Sequence, residues 1–83
     1  MKILISEAAI ADLGKMDNSI YERFKKHIQS IKGPLRHLRH GLPFEVDEIG
    51  QGRIILKQEG DTITVYRCFA RHKDYEDWYR SLS

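Results

Sequence analysis

The chain is short of cysteine, of excess charge and of long apolar runs. Cys68 is its only cysteine among 83 residues, so no intrachain disulfide can form, which fits a reducing cytosol. No apolar run approaches the roughly 20 residues needed to cross a membrane. The stretch from Met1 to Glu7 becomes charged too early for a secretion signal. We therefore expect a cytoplasmic protein with no membrane contact.

The charge is nearly balanced, and its placement is more informative than its sum. A formal net charge of +2 does not by itself indicate nucleic-acid binding. Cationic residues nevertheless gather in two stretches, one with Arg36, His37, Arg39 and His40, the other with Arg67, Arg71, His72 and Lys73. Such clusters create a local positive potential on a nearly neutral protein. Neither repeats nor linkers interrupt the chain, so residues 1–83 are predicted to form one domain.

The first half of the chain predicts a strand and two helices. Lys2–Ile5 is short and rich in branched residues, as in a strand, and residues 7–13 are good helix formers. Ser19 and Glu22 have the spacing of a capping box at the start of a second helix. The apolar stripe of that helix consists of Ile20, Phe24, Ile28 and Ile31. Gly33-Pro34 is the expected stop signal.

The second half predicts a strand meander followed by a short helix. Residues 35–42 form a basic connector without a clear period. Three strands are predicted, over 44–47, 53–59 and 62–69. Gly60-Asp61 is a two-residue hairpin signal between the last two strands, and residues 73–82 can form a helix. The order of strand, two helices, antiparallel three-strand meander and short C-terminal helix indicates an α+β fold.

Counting outward from the hairpin loop predicts which residues share a face of the sheet. If Glu59 pairs with Thr62, then the further pairs are Leu56–Val65, Ile55–Tyr66 and Arg53–Cys68. The apolar face, expected to pack on the helices, then comprises Phe44, Val46, Ile54, Leu56, Ile63, Val65 and Phe69. The polar face comprises Glu45, Asp47, Arg53, Lys57, Thr64 and Tyr66. Arg67 falls on the apolar face and is therefore expected near an edge, and a one-residue slip would reverse all these assignments.

Three segments of the chain resemble the RelE/ParE superfamily of toxin–antitoxin systems. They are Arg53-Ile54-Ile55-Leu56, Gly60-Asp61-Thr62-Ile63-Thr64-Val65 and Arg71-His72-Lys73-Asp74-Tyr75. Their order and spacing carry the resemblance, which extends over nearly the whole chain. It implies a toxin that cuts mRNA, commonly in the ribosomal A site, with no metal and no cofactor, and that is bound by a cognate antitoxin.

The resemblance also implies roles for individual residues. Arg53 matches a strand arginine that contacts the scissile phosphate, and Arg71 resembles a later basic residue that stabilises it. Tyr75 resembles a tyrosine that orients or activates the substrate, and His72 stands where relatives place a basic or acid–base group. Some relatives have lysines on the first hairpin strand where this chain has Glu45 and Asp47, which argues against a lysine-rich site.

RNA cleavage through the 2′-OH needs a base, cations on the phosphorane and an acid for the leaving 5′-oxygen. The guanidinium fork of arginine suits the cationic task. We expect Asp47 or Glu45 as the base, with His72 or Tyr75 as the other proton-transfer group. Further RNA contacts are expected from Arg36, Arg39, His40, Lys57 and Lys73, and these would weaken with salt.

Other interpretations remain open at the level of sequence. Arg53 could simply form an ion pair with Glu45 or Asp47 across the sheet, worth about 0–1 kcal/mol. The superfamily also contains gyrase-inhibiting members of the ParE type, and a decayed relative could retain antitoxin binding alone. The predicted catalytic site requires that Arg53 and Arg71 converge on one cleft.

Overall fold

The computed structural model describes residues 2–31, 36–37 and 43–82. Its elements are β1 (Lys2–Ile5), α1 (Glu7–Gly14), α2 (Asn18–Gln29), β2 (Arg36–His37), β3 (Glu45–Ile49), β4 (Gly52–Glu59), β5 (Thr62–Phe69) and α3 (His72–Ser81). The predicted α+β class is confirmed. The basic connector, for which the sequence predicts no regular structure, contributes the two-residue strand β2. Within the described ranges, no helix is long and apolar enough to span a membrane.

The strands form one mixed sheet in the order β1-β5-β4-β3-β2. β1 lies parallel to β5, while the pairs formed by β2, β3, β4 and β5 are antiparallel. The three-strand meander is therefore confirmed. Because β1 pairs with β5 only up to Ile5 opposite Val65, the last residues of β5 have no strand on that side.

The two N-terminal helices are set by local signals and by their apolar faces. The Ser6 hydroxyl accepts a hydrogen bond from the backbone N–H of Ala9 and so caps α1. α2 begins one residue after Asp17, so Ser19 lies inside the helix and the predicted capping box is wrong. The α2 stripe is confirmed, since Phe24 and Ile28 are buried against the sheet. Gly33-Pro34 lies outside the described residues.

The sheet is covered by helices on both faces. α1 and α2 cover one face, where their apolar residues pack on Ile54, Leu56, Ile63, Val65 and Cys68. α3 covers the other face through a smaller cluster built on Val46, Ile55 and Phe69, with Phe44, Tyr75, Trp78 and Tyr79 packed against it. Phe44, Val46 and Phe69 were predicted on the first face, and that assignment is wrong. The fully buried run Ile54-Ile55-Leu56 reflects cover on both sides, because alternate residues of a strand face opposite ways.

The hairpin register is predicted correctly near the loop and wrongly beyond it. Gly60 has φ +60° in the loop, and the pairs Glu59–Thr62 and Leu56–Val65 are present. A β-bulge then shifts the register, so that Ile55 pairs with Arg67 and Arg53 with Phe69. Tyr66 is the inserted residue, and beyond it every residue of β5 lies on the face opposite to the predicted one. Arg67 thus leaves the predicted face, although it does lie at the sheet edge beyond the end of β1.

Candidate functional site

Arg53 is held in place by the turn that joins β3 to β4. Its Nη1 donates to the carbonyl oxygens of Gly52 (2.8 Å) and Gly50 (3.2 Å). Gly50 has φ +57°, a left-handed conformation that favours glycine and that this turn requires. The Arg53 side chain is only 16% exposed, and its Nη2 lies 4.0 Å from a carboxylate oxygen of Glu48. Within the described residues, neither Nε nor Nη2 makes a hydrogen bond, and Nη2 lies at ion-pair distance from Glu48.

Tyr75 of α3 packs beside the Arg53 guanidinium. The guanidinium carbon lies 5.9 Å from the centre of the Tyr75 ring, within the range of a cation–π contact. Phe69, the cross-strand partner of Arg53, lies 6.3 Å from the Tyr75 ring and 5.6 Å from the Trp78 ring, measured between centroids. The sheet and α3 therefore bring Arg53 and Tyr75 together, as the resemblance implies.

His72 and Arg71 lie at the start of α3, next to this pair. The His72 ring is 5.8 Å from the Tyr75 ring, and its Nε2 is 2.6 Å from a carboxylate oxygen of Glu76 one turn later. Arg71 is the N-cap residue, and its carbonyl oxygen accepts a hydrogen bond from Tyr75 N. The Arg71 side chain is 76% exposed, and its Nε bonds to Asp74 at 3.3 Å.

The two arginines share one edge of the molecule but have different surroundings. Arg53 lies under Tyr75, whereas Arg71 borders an open groove of about 540 Å³ between the α1–α2 connection and the start of α3. Arg53 is not among the residues that line this groove. The predicted convergence of Arg53 and Arg71 on one cleft is therefore not seen: Arg53 lies beside Tyr75, and Arg71 is exposed at the rim of the groove and paired with Asp74. For Arg71 to join the others at a phosphate, its guanidinium would have to leave Asp74.

The predicted grouping of Glu45 and Asp47 with Arg53 is wrong. Both carboxylates belong to the face covered by α1 and α2, because Glu45 pairs with the buried Leu56 and Asp47 with the buried Ile54. Asp47 Oδ2 lies 2.7 Å from His27 Nε2 on α2, and Glu45 Oε1 accepts the backbone N–H of Gln58 at 3.1 Å. The sheet separates them from the Arg53 guanidinium, and neither forms an ion pair with it.

Glu48 is the carboxylate beside Arg53, and the sequence reasoning did not include it. It pairs with Arg53 across β3 and β4, and its side chain is 47% exposed. The predicted strand ends at Asp47, whereas β3 continues to Ile49 and so includes Glu48. Extending the strand to Ile49, close to the Gly50-Gln51-Gly52 turn, would have placed Glu48 opposite Arg53.

The predicted RNA-binding residues are only partly within the described structure. Lys57 is half-buried on the same face as Ile55, with Nζ 3.8 Å from a carboxylate oxygen of Glu59, and Lys73 is exposed on α3. Of Arg36, the structure describes only the backbone, in β2. Arg39 and His40 lie outside the described residues. In the described part of the chain, no three His, Cys, Asp or Glu side chains form a group that could hold a metal ion.

Comparison with solved structures identifies the fold. The chain matches a chain of the RelB-RelE antitoxin-toxin complex from Methanococcus jannaschii with a TM-score of 0.71 at 20% identity, covering 92% of this chain and 98% of that one. It matches the RelBE2 toxin-antitoxin complex from Mycobacterium tuberculosis with a TM-score of 0.70 at 18% identity, covering 84% and 96%. For the Escherichia coli RelBE complex the TM-score is 0.63 at 14% identity, covering 82% and 93%.

These matches confirm the predicted RelE-like fold over most of the chain. The sequence comparisons add nothing to them, since no protein-family model and no curated protein matches the chain.

Proposed function

We propose that this chain is the toxin of a type II toxin–antitoxin system and a metal-independent endoribonuclease that cleaves mRNA at the ribosome in the cytoplasm. The structural similarity to chains of RelB-RelE complexes supports the toxin assignment and a cognate antitoxin as partner. The observation that carries the nuclease assignment is the anchored Arg53. Its guanidinium is largely buried beside Tyr75 and fixed through Nη1, and within the described residues Nε and Nη2 make no hydrogen bond.

Such an arginine is well suited to a phosphorane. Cleavage begins when the ribose 2′-oxygen attacks phosphorus, and negative charge then develops on the two non-bridging oxygens. The Nε and Nη2 donors of Arg53 would bind these oxygens in the parallel geometry that a guanidinium offers. Because Nη1 is already bonded to two carbonyls, little reorganisation would accompany the reaction, which is the condition for strong electrostatic stabilisation.

Glu48 and the α3 residues are the candidates for proton transfer. Glu48 takes the place that the sequence gave to Asp47 or Glu45, because its carboxylate lies beside Arg53. We assign it to remove the 2′-OH proton. His72 or Tyr75 would protonate the 5′-oxygen as the P–O bond breaks, and a positioned acid typically contributes about 100- to 10,000-fold. Arg71 would move from Asp74 to the phosphate when RNA binds.

The first experiment maps the 5′ ends of transcripts shortly after the protein is induced. Wild-type protein should stop translation and produce new 5′ ends within coding regions. Arg53→Ala should lower the cleavage rate by about 100- to 1000-fold. Arg53→Lys should also be defective, because it keeps the charge but loses the planar fork.

Lys25→Ala is the control, since Lys25 is an exposed cation on α2, which packs on the face of the sheet opposite to Arg53, and its loss should leave cleavage unchanged. Intact transcripts during growth arrest would rule out the nuclease. A DNA-damage response with translation initially unharmed would instead indicate a gyrase inhibitor of the ParE type, and no arrest by folded protein would indicate a decayed relative.

A further inference from the structure

The β-bulge in β5 lies at Tyr66, three residues before Phe69, the cross-strand partner of Arg53. Between Val65 and Arg67 the strand gains one residue, Tyr66, relative to β4. The bulge reverses the faces of the residues that follow it and so places Phe69 opposite Arg53. Phe69 in turn packs against Tyr75 and Trp78 of α3. An unbulged strand would put Cys68 opposite Arg53 and would turn Phe69 towards α1 and α2.

β1 ends before the bulge, so among the described residues no strand pairs with this side of β5 there. Residues of α1 and its N-cap make the hydrogen bonds to β5 instead. The Ser6 hydroxyl, at the start of α1, donates to the Tyr66 carbonyl oxygen at 2.8 Å. Asp12, near the end of the same helix, accepts the Cys68 backbone N–H at 3.0 Å through Oδ2. These bonds satisfy backbone groups on the side of β5 that lies beyond the end of β1.

Asp12 also binds the side chain of Arg67, the residue that follows the inserted Tyr66. Its Oδ2 and Oδ1 accept Arg67 Nε and Nη2 at 2.7 and 3.0 Å in a bidentate pair, and the Asp12 side chain is 13% exposed. The hydrogen bond that Arg67 donates to Asp12 raises the pKa of Arg67 above its already high ordinary value. One carboxylate therefore receives three hydrogen bonds from Arg67 and Cys68, the two residues that follow the inserted Tyr66, across a sequence distance of more than fifty residues.

We propose that Asp12 is a positioning residue: through the β5 bulge it fixes where Phe69 and α3 lie, and thereby holds Tyr75 against Arg53. For activity, this inference rests on the proposed nuclease function. It requires no contact between Asp12 and RNA, because Asp12 reaches Arg53 only through β5.

The test compares Asp12→Asn with Asp17→Asn, both measured well below their unfolding temperatures. Asp17 borders the same groove, is exposed and makes no side-chain capping bond, so its variant is the matched control. Asp12→Asn should lower the saturating cleavage rate at least about tenfold, since a displacement of 1 Å can cost about a hundredfold. The half-saturating substrate concentration should change by less than about threefold, because the RNA contacts themselves are retained.

A second readout needs no RNA. The NMR signal of Arg53 Nε–H, assigned by its loss in Arg53→Lys, should shift in Asp12→Asn and stay in place in Asp17→Asn. Should Asp12→Asn not fold, Arg67→Lys replaces it, because lysine keeps the charge and loses the bidentate bond. Unchanged rate and unchanged signal in a folded variant would overturn the inference. If wild-type protein cleaves no RNA, the nuclease proposal fails, and the Arg53 signal alone decides the positioning role.

Discussion

Gly52→Ala tests how tightly the start of β4 is packed beneath the candidate site. An added Cβ would lie 2.6 Å from Cζ of Phe24, 2.9 Å from the Phe69 carbonyl oxygen and 3.0 Å from the Ile49 carbonyl oxygen. Phe24 is only 2% exposed, and the two carbonyls belong to the neighbouring backbone. Some part of the structure must therefore move.

The expected cost follows from overpacking in a rigid core. Such insertions typically destabilise by about 1–3 kcal/mol. A domain of this length has a total stability of roughly 4–12 kcal/mol, so the loss is a substantial fraction. Each kcal/mol should lower the Tm by about 4–8 °C. Because the Gly52 carbonyl also holds Arg53, the same displacement should disturb the candidate site.

Urea unfolding followed by Trp78 fluorescence measures this cost, since Trp78 is the only tryptophan and packs on Phe69. Gly14→Ala is the matched control: Gly14 is the last residue of α1, and its added Cβ would meet no atom within 4 Å. That variant should be stabilised by about 0.4–1 kcal/mol, because alanine reduces the entropy of the unfolded chain. A wild-type urea midpoint for Gly52→Ala would refute the packing argument.

Two further predictions concern residues on the face covered by α1 and α2. Asp47→Asn should leave mRNA cleavage within about threefold of wild type. It should lower the free energy of unfolding by at most about 1 kcal/mol, because the carboxylate pairs with His27 in a partly exposed site. A large loss of cleavage would show that Asp47 does belong to the catalytic site. Burial raises the pKa of the Cys68 thiol to about 12 from an ordinary 9.0, so the unfolded state releases its proton first as the pH rises. The stability that the neutral thiol contributes is therefore complete below pH 9 and lost between pH 9 and 12. The free energy of unfolding should fall by up to about 1.4 kcal/mol per pH unit there, and Cys68→Ala should lack this part of the slope in parallel urea titrations.

The sequence by itself determined the helices, the four longer strands and their order, while the two-residue β2 lies where the sequence predicts no regular structure. The stripe of α2 and the hairpin at Gly60-Asp61 depend on residues close in the chain, so the local sequence predicts them. The resemblance likewise identified Arg53 and Tyr75, which the fold brings together. The apolar run Ile54-Ile55-Leu56 is typical of a strand covered on both faces, as β4 is in the structure.

Only the tertiary structure decided which side chains share a face with Arg53. Alternate residues of a strand face opposite sides of the sheet, so a single inserted residue at Tyr66 reverses the faces of all later residues of β5. The bulge is stabilised by hydrogen bonds to Ser6 and Asp12, about sixty residues earlier in the chain, so no local sequence pattern at Tyr66 predicts it. The position of α3 on the second face then buries Phe69 beside Tyr75. The register between β3 and β4 places Glu48, instead of Asp47, opposite the arginine.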